Sequence, residues 1–376
     1  MELSYVLPLR CEADHCDHGD LRAYVADLAT LAEVIVADGS PPPVFAEHAR
    51  MWPRGVRHLP PDPGRSFANG KVDGVTTGVR VASFEMVVLA DDDVRYRPAQ
   101  LRAIAERLRT ADLVIPQNVF EPATTWHARW DTARTLLNRA VGHDYPGTLA
   151  VRRSTFHRIG GYDGDVLFEN LELIRTVRAH GGVVTVALDV VVPRRPPTTR
   201  AFIGQRVRQA YDDLGQPVRL CAHLAMLPAM IVLTRRRRWG AIVTAAAASV
   251  GLAEIGRRRK GGLEVFPASA SWFAPAWLLE RAIVVWFAVG SRALRGGCRY
   301  RGVTLRRAAT PMRELRRRAA TEVQRGRVER AGTAACVPSH NGLVRDRPQR
   351  HSATTSRLTS SSSPSSSTTR TGPRTR

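Results

Sequence analysis

The sequence predicts an α/β domain built on a parallel sheet, followed by an apolar helical region and a basic tail. Short apolar runs alternate with helix-compatible stretches over the first two-thirds of the chain, three apolar stretches follow residue 217, and arginine dominates the residues after 290. At 376 residues the chain is long enough for one domain of ordinary size with an appendage, since single cores rarely exceed about 250–300 residues.

The alternation in the first part is the pattern of parallel strands joined by crossover helices. It predicts strands at residues 4–9, 34–37, 86–90, 113–116 and 183–192, and helices at residues 21–32, 101–110 and 171–179. We expect residues 193–197, which include three prolines, to break the pattern. Two of the strands run directly into acids, Asp38 and Asp91. Because ligands bind beyond the carboxyl ends of strands in open α/β sheets, these acids are candidates for a site.

The net charge of +22 is concentrated in the tail. From residue 291 onward there are 20 Arg and four acidic residues, a net of +16, which leaves +6 for the rest of the chain. No helix-turn-helix, zinc-finger or RNA-binding signature accompanies this charge, so anionic lipid or plain disorder is favoured over a nucleic-acid partner. A nearly pure Ser/Thr run at residues 359–369 completes a region, residues 291–376, that we expect to be disordered.

Residues 213–290 are interpreted as a membrane-associated helical region, with candidate segments at 218–234, 239–256 and 263–290. The first two are about as short as a spanning helix can be, so they could instead be interfacial or re-entrant. The third contains Glu280 and Arg281, which could pair with each other, face a bundle interior or split the segment. Basic linkers lie at both ends of the second segment, so charge does not orient it. A buried helical subdomain of a soluble protein is the alternative.

The N-terminus lacks a basic region and a long apolar stretch, so it does not read as a secretion signal. The five cysteines are few, odd in number and scattered, which is typical of a reducing compartment. We therefore expect a cell-membrane location with the folded domain facing the cytoplasm. Residues 11–18 hold Cys, Asp and His side chains at close spacing, but a second ligand pair at a zinc-site distance is missing, so zinc is disfavoured there.

Three consecutive acids, Asp91, Asp92 and Asp93, follow an apolar strand. Such acids repel one another unless a cation lies among them, and hard divalent cations prefer oxygen ligands. Mg²⁺ or Mn²⁺ held there could bridge a diphosphate and neutralise the charge of a leaving group. An exposed acidic turn or a helix cap is the alternative at this point.

Read in order, the motifs resemble the inverting family 2 glycosyltransferases of the membrane-associated branch, over about residues 4–211. The resemblance implies a GT-A-type nucleotide-sugar-binding domain, about residues 1–212, with a mixed, mostly parallel sheet. The residues that carry it are residues 34–40 ending in Asp38-Gly39-Ser40, Gly70-Lys71, Asp91-Asp92-Asp93, residues 146–153, Gly160-Gly161-Tyr162-Asp163, residues 168–175 and Gln205-Arg206-Val207-Arg208-Gln209.

By this resemblance, Asp38, Lys71, Asp91 and Arg208 contact the nucleotide, whereas Asp91 and Asp93 hold the metal and Asp93 takes part in catalysis. Gly147, Thr148 and Gln205 are assigned to the acceptor side. A surface lysine and a basic helix at the membrane are the alternatives for Lys71 and Arg208.

The chain departs from the family pattern at two positions. Asn170 stands where the resemblance expects an Asp as general base, and an amide cannot accept that proton at neutral pH. Glu169 is the nearest replacement, with Asp165 and Glu172 as weaker candidates; a capping role for Glu169 in an impaired enzyme is the alternative. Gln209 replaces a Trp that would stack beside the acceptor, and Tyr211 could substitute for it only from another side of the helix.

The sequence thus predicts metal-assisted sugar transfer from a nucleotide-sugar to an acceptor hydroxyl, with a lipid or a growing glycan as acceptor. The cofactor expected is Mg²⁺ or Mn²⁺. A catalytically silent relative that binds nucleotide-sugar or scaffolds a membrane assembly is the alternative, motivated by Asn170 and Gln209.

Overall fold

The computed structural model describes residues 1–12, 18–123 and 125–335. A seven-stranded sheet forms its centre, with strand order β3-β2-β1-β4-β6-β5-β7. The strands are β1 (Leu3–Leu9), β2 (Glu33–Asp38), β3 (Arg57–Leu59), β4 (Met86–Ala90), β5 (Leu113–Phe120), β6 (Thr148–Arg152) and β7 (Val184–Arg194). Only β6 runs antiparallel to its neighbours. The predicted mixed, mostly parallel sheet is confirmed.

Helices cover both faces of the sheet. They are α1 (His18–Ala29), α2 (Pro42–Met51), α3 (Gly70–Val81), α4 (Pro98–Leu108), α5 (Trp126–Val141), α6 (Arg153–Arg158), α7 (Glu169–Ala179), α8 (Thr199–Gly204) and α9 (Arg206–Ala210). Along β1, Tyr5 and Leu7 enter the apolar core on one face of the sheet, and Val6 enters the core on the other. Burial on both faces explains why the strands are nearly continuous apolar runs.

The predicted elements agree with the structure except at their ends. Strand β4 has the predicted bounds, and β1 and β2 begin one residue early. Strand β7 differs more, because it continues through Pro193 to Arg194, where we expected a break. The edge position of β7 explains this, since an edge strand tolerates a proline that donates no hydrogen bond. The extension carries Arg194 to the carboxyl end of the sheet.

Three helices follow that are long and apolar enough to cross a membrane by length and composition. They are α10 (Pro217–Arg235), α11 (Trp239–Arg258) and α12 (Ala274–Leu294), the last extended at its start by a 3-10 helix, Ala268–Phe273. Large apolar side chains on them are exposed, among them Trp239, Trp272 and Phe287. The third apolar segment begins at Ala268, five residues later than the predicted start at residue 263.

Two charged residues in the middle of α12, Glu280 and Arg281, bind the α/β domain. Glu280 accepts hydrogen bonds from Arg206 at 2.6 and 2.8 Å and from Nε1 of Trp130. Arg281 is 2% exposed and donates to the carbonyl of Gln209 at 2.9 Å. Three alternatives were open for Glu280 and Arg281: pairing with each other, facing a bundle interior or splitting the segment. The structure is nearest to the second, except that both side chains face the α/β domain.

The segment after α12 is folded as far as residue 335, which corrects this part of the expectation that residues 291–376 are disordered. It forms a hairpin of β8 (Cys298–Tyr300) and β9 (Val303–Leu305), followed by α13 (Met312–Ala335). The backbone N–H of Leu167 donates to Arg307 O at 2.9 Å, and that of Thr310 donates to Glu172 at 2.6 Å. The segment also contains buried apolar residues, and its arginine-rich composition did not indicate that they would be buried. Residues 1–326 form one compact unit; the Ser/Thr-rich run lies outside the described residues.

The cysteines follow the expectation of reduced thiols only in part. Cys221 and Cys298 are free, whereas Cys11 is disulfide-bonded. Cys16 and Cys336 lie outside the described residues, as does most of the Cys/Asp/His cluster of residues 11–18.

Candidate active site

A cavity of about 750 Å³ opens beyond the carboxyl ends of β1, β2 and β4. Strands β2 and β3 extend the sheet on one side of β1, and β4 continues it on the other. The chain therefore reverses its direction of sheet growth between β1 and β4, and such a switch point is where open α/β sheets bind ligands.

Seven of the nine predicted site residues line this cavity. They are Lys71, Asp91, Asp93, Gly147, Glu169, Gln205 and Arg208. Separate elements supply them: Lys71 begins α3, the acids follow β4, Glu169 opens α7, and Gln205 and Arg208 come from the α8–α9 segment. Motifs more than 130 residues apart in the sequence thus meet at one edge of the sheet.

Asp38 and Thr148, the other two predicted site residues, do not line the cavity. The Asp38 side chain is fully buried and binds His48 and His58. Thr148 is 1% exposed, and its hydroxyl donates to Leu89 O at 2.7 Å. Both side chains form hydrogen bonds with groups in other secondary-structure elements.

Lys71 lies between two carboxylates. Its Nζ is 2.6 Å from Oε1 of Glu169 and is also paired with Oδ1 of Asp91. Burial acts to lower the pKa of Lys71, but Asp91 and Glu169 outweigh it and raise the pKa above its usual value. Burial likewise opposes ionisation of Asp91, yet Lys71 and Arg194 hold its pKa below the usual range. Lys71 therefore joins the acidic end of the site to the predicted base.

Arg194 is the main site residue that sequence reasoning missed. Its Nε donates to Oδ2 of Asp93 at 2.6 Å, and its Nη2 lies 3.5 Å from Oδ2 of Asp91. A Cβ at Gly147 would lie 2.7 Å from the Asp91 carboxylate and 3.1 Å from the Arg194 guanidinium, so any other residue there would require these side chains to shift. The sequence feature that could have revealed Arg194 is the pair of consecutive arginines, Arg194 and Arg195, which follows a predicted strand.

Asp93 is the residue whose chemistry best fits a divalent cation. Its Oδ1 atom is buried and has no hydrogen-bond partner in the part of the chain that the structure describes. Burial raises the pKa of Asp93 to about 6, with Arg194 opposing and Asp91 and Asp92 adding to the rise. An orphaned carboxylate oxygen beside a second carboxylate is a suitable donor set for Mg²⁺ or Mn²⁺. Asp91 and Asp93 could therefore hold such an ion.

At the base end, Glu169 is the candidate that remains. Its Oε2 accepts a hydrogen bond from Nδ2 of Asn69 at 3.2 Å, while Oε1 contacts Lys71. Asn170 lines the cavity but donates its amide to Pro146 O at 2.9 Å. Glu172 is fully buried, where it accepts the Thr310 N–H. Neither Glu172 nor Asp165 lines the cavity.

The hairpin after α12 supplies one wall of the cavity, through Tyr300, Arg301 and Val303. The guanidinium of Arg208 lies 5.2 Å from the centre of the Tyr300 ring, close enough for a cation–π contact. Tyr211 is fully buried and donates to Arg306 O at 2.8 Å, so it is not the aromatic platform. Tyr300 is the aromatic side chain that the cavity offers in that region.

Charge in the cavity is balanced. Five acids line it, Asp73, Asp91, Asp92, Asp93 and Glu169, and five cations line it, Arg10, Lys71, Arg194, Arg208 and Arg301. An anionic ligand would therefore meet cations as well as a carboxylate pair able to bind metal. A second cavity of about 760 Å³, lined by residues such as Arg97, Asp189 and Lys260, contains none of the predicted site residues.

No protein-family model matches the chain, and no curated protein gives a significant match. Among solved structures, a mannosyltransferase from Pyrobaculum calidifontis in complex with GDP-Man and Mn²⁺ shares 18% identity, with a TM-score of 0.42. That similarity covers 76% of this chain and 87% of the other.

Two further structures resemble the chain over about half its length. Mannosyl-3-phosphoglycerate synthase from Rubrobacter xylanophilus shares 17% identity over 54% of this chain and 69% of its own, with a TM-score of 0.37. Glucosyl-3-phosphoglycerate synthase from M. tuberculosis shares 17% identity over 53% and 73%, with a TM-score of 0.35. The first of these three proteins is named a mannosyltransferase, and the other two are named synthases of glycosylated phosphoglycerate.

Proposed function

We propose that this protein transfers a sugar from a nucleotide-sugar donor to an acceptor hydroxyl, by a metal-assisted inverting displacement. The observation that carries the proposal is the convergence of Asp91, Asp93, Lys71, Glu169 and Arg208 in one cavity at the switch point of the sheet. These groups supply what the reaction requires, namely cations for a diphosphate, carboxylates for a metal and a carboxylate base.

The donor is proposed to bind with its diphosphate near Arg208 and Lys71. A guanidinium forms paired hydrogen bonds with phosphate oxygens, and an ammonium acts as a point charge. The nucleoside would lie toward the carboxyl ends of β1 and β2, where Arg10, Ala37 and Gly39 line the cavity.

Asp91 and Asp93 would hold a divalent cation, for which the orphaned Oδ1 of Asp93 is the supporting observation. A bound cation neutralises charge on the departing diphosphate. Arg194 already lies across the two carboxylates, so it must move for both to turn toward a metal. Its released guanidinium would then be free to face phosphate oxygens.

Glu169 is proposed as the general base. Hydrogen bonds from Asn69 and Lys71 fix both of its oxygens at the edge of the cavity. As the acceptor oxygen forms its bond to the anomeric carbon, Glu169 takes the hydroxyl proton, and the bond from that carbon to the diphosphate oxygen breaks. Attack opposite the leaving group inverts the anomeric centre.

The acceptor is proposed to be a lipid, with a glycan as the alternative. Three apolar helices with exposed aromatic side chains support attachment to a membrane. Helix α12 leads directly into the hairpin that forms a wall of the cavity, so the site lies close in sequence to the apolar region. We propose the cell membrane as the location, with the catalytic domain facing the cytoplasm.

A catalytically silent nucleotide-sugar-binding protein is the second candidate. The observation in its favour is Asn170, whose amide is bound to a backbone carbonyl at the position where the resemblance expects a base. In this alternative Glu169 only pairs with Lys71, and the protein binds donor without transferring sugar.

The decisive experiment measures transfer from a panel of radiolabelled nucleotide-sugars to lipid extract, using membranes that contain the full chain. Glu169→Gln should reduce transfer by about 10²–10⁴-fold, the usual contribution of general base catalysis, and leave donor binding within a few-fold. Asp165→Asn is the matched control, because that carboxylate lies outside the cavity, and its transfer should equal that of the wild type.

Two results would refute parts of this proposal. Full transfer by Glu169→Gln would remove Glu169 as base. No transfer by the wild type from any donor, with donor binding intact, would establish the silent alternative.

A further inference from the structure

A second cluster of metal-ligating side chains lies outside the cavity. It consists of Asp38 at the end of β2, His48 in α2 and His58 in β3. Oδ2 of Asp38 is 2.5 Å from Nδ1 of His48 and 2.9 Å from Nε2 of His58. One donor atom from each residue lies within 4.8 Å of the other two. The side chains of Asp38 and His48 are fully buried, and that of His58 is 8% exposed.

The charge of this cluster is not balanced by a permanent cation. No Lys or Arg pairs with Asp38 within residues 1–12, 18–123 and 125–335; its hydrogen-bond partners there are the two imidazoles and Ser40. A carboxylate removed from water is costly unless it is paired or coordinates a metal. Burial would raise the pKa of Asp38, yet hydrogen bonds from Ser40, His58 and His48 hold it below its usual range. The cluster thus holds the Asp38 carboxylate away from water. Either a shared proton or a metal ion must compensate its negative charge.

We propose that Asp38, His48 and His58 form a Zn²⁺ site, separate from the carboxylate pair of Asp91 and Asp93. Two imidazole nitrogens and one carboxylate oxygen are borderline ligands that suit zinc, whereas Mg²⁺ and Mn²⁺ favour oxygen ligands. Zinc binds such groups at about 2.0–2.2 Å in tetrahedral geometry. At those bond lengths the donors are about 3.3 Å apart, so each contact to Asp38 must open by less than about 1 Å.

The proposed zinc would stabilise a turn beside the donor cavity. Oδ1 of Asp38 accepts the N–H of Ser40 at 2.9 Å, and Oγ of Ser40 accepts the N–H of Cys11 at 2.9 Å. Gly39, between these partners, lines the cavity together with Arg10. Hydrogen bonds to the non-ligating oxygen of a carboxylate ligand, which orient that ligand, are typical of metal sites. The metal would therefore fix the geometry of a turn on the donor side without touching the reacting groups.

The test is metal analysis of the purified full chain, made without chelators and then equilibrated with ZnSO₄ and dialysed. We expect about one zinc per chain in the wild type, and the same in Asp91→Asn/Asp93→Asn, since that pair lies outside the cluster. His58→Ala should lose the zinc. His58 is the ligand nearest the surface, so its truncation disturbs the core least.

A cysteine variant makes the result independent of folding. His58→Cys keeps a zinc ligand, and with Co²⁺ in place of zinc it should gain an intense thiolate-to-cobalt absorption band that the wild type lacks. The proposal is overturned if the wild type retains no zinc and binds no Co²⁺. It is also overturned if His58→Ala retains zinc as the wild type does, or if only Asp91→Asn/Asp93→Asn loses it. The cluster would then be a hydrogen-bonded Asp–His pair network.

Discussion

Arg194 donates a hydrogen bond from Nε to Oδ2 of Asp93 over 2.6 Å, at the carboxylate predicted to bind a divalent cation. The same guanidinium lies 3.5 Å from Asp91. A dication bound by Asp91 and Asp93, as proposed, would therefore compete with this arginine for the same two carboxylates. Metal affinity in the absence of donor should be low, because displacing Arg194 costs a charge-assisted hydrogen bond.

Replacing Arg194 by glutamine should strengthen binding of Mn²⁺ to the protein without donor. A hydrogen bond to a charged group contributes about 1.5–3 kcal/mol, so we expect the affinity to rise by about tenfold or more. Titration of free Mn²⁺ by electron paramagnetic resonance measures this directly. Arg195→Gln is the matched control, since Arg195 pairs with Asp20 instead. Equal Mn²⁺ affinity in the wild type and Arg194→Gln would show that the two cations do not compete.

Binding of Mn²⁺ should also depend on pH through Asp93. Its folded pKa, raised by burial to about 6, means that below this pH the ion must displace a proton. The apparent association constant should rise by up to about tenfold per pH unit below about 6, and level off above it. Calorimetry across that range gives the profile, and carbon-13 spectra of the carboxyl groups, assigned with Asp93→Asn, give the pKa. A flat profile would contradict the assignment.

The contribution of Asp93 to stability changes with pH in the opposite direction to that of most carboxyl groups in proteins. Because the folded pKa lies above the ordinary value of 3.8, the native state holds more protons between about pH 4 and pH 6. The contribution of Asp93 to stability therefore falls as pH rises through that window and stays constant above it.

The sequence was sufficient to predict the residues that follow strands and open helices. Asp91, Lys71 and Glu169 sit at element ends, and parallel strands bring such ends to one edge, so their meeting follows from the order of motifs. Arg194 was missed because a proline was read as a strand break. An edge strand tolerates it, and strand order cannot be read from local pattern.

Side-chain partners distant in sequence were also beyond prediction. Asp38 was assigned to the nucleotide by the resemblance of Asp38-Gly39-Ser40 to a family motif, and that resemblance could not show that His48 and His58 bind its carboxylate. The hairpin at residues 298–305 was missed because each of its strands has three residues, too few to show a period, within an arginine-rich segment.

The hairpin gives a prediction about stability. Leu305 is 2% exposed and packs with Leu167 and Tyr211, whereas Val303 in the same strand is 40% exposed. Leu305→Ala should lower the free energy of unfolding by about 2–5 kcal/mol, as is usual for a buried leucine. Val303→Ala should change it by about 0.5 kcal/mol or less. Thermal unfolding in detergent compares the two, and equally small shifts would argue against packing of the hairpin.

The contact of α12 with the α/β domain gives a prediction that links the apolar region to the site. Arg206 binds Glu280 through two hydrogen bonds and Asp131 through a third at 2.6 Å, and it lies between Gln205 and Arg208 in the cavity segment. Glu280→Gln should destabilise the protein by about 1–3 kcal/mol, because Asp131 still compensates part of the arginine charge. It should also weaken donor binding, since the segment that carries Arg208 loses a support.

Glu264→Gln is the control for that experiment, because Glu264 is exposed in a short 3-10 helix and binds no arginine among the described residues. A double-mutant cycle with Arg206→Gln isolates the pair. We expect a coupling energy of at least about 0.5 kcal/mol, because residues in direct contact are not additive. Additive effects on unfolding, together with unchanged donor affinity in Glu280→Gln, would show that α12 does not support the site through Arg206.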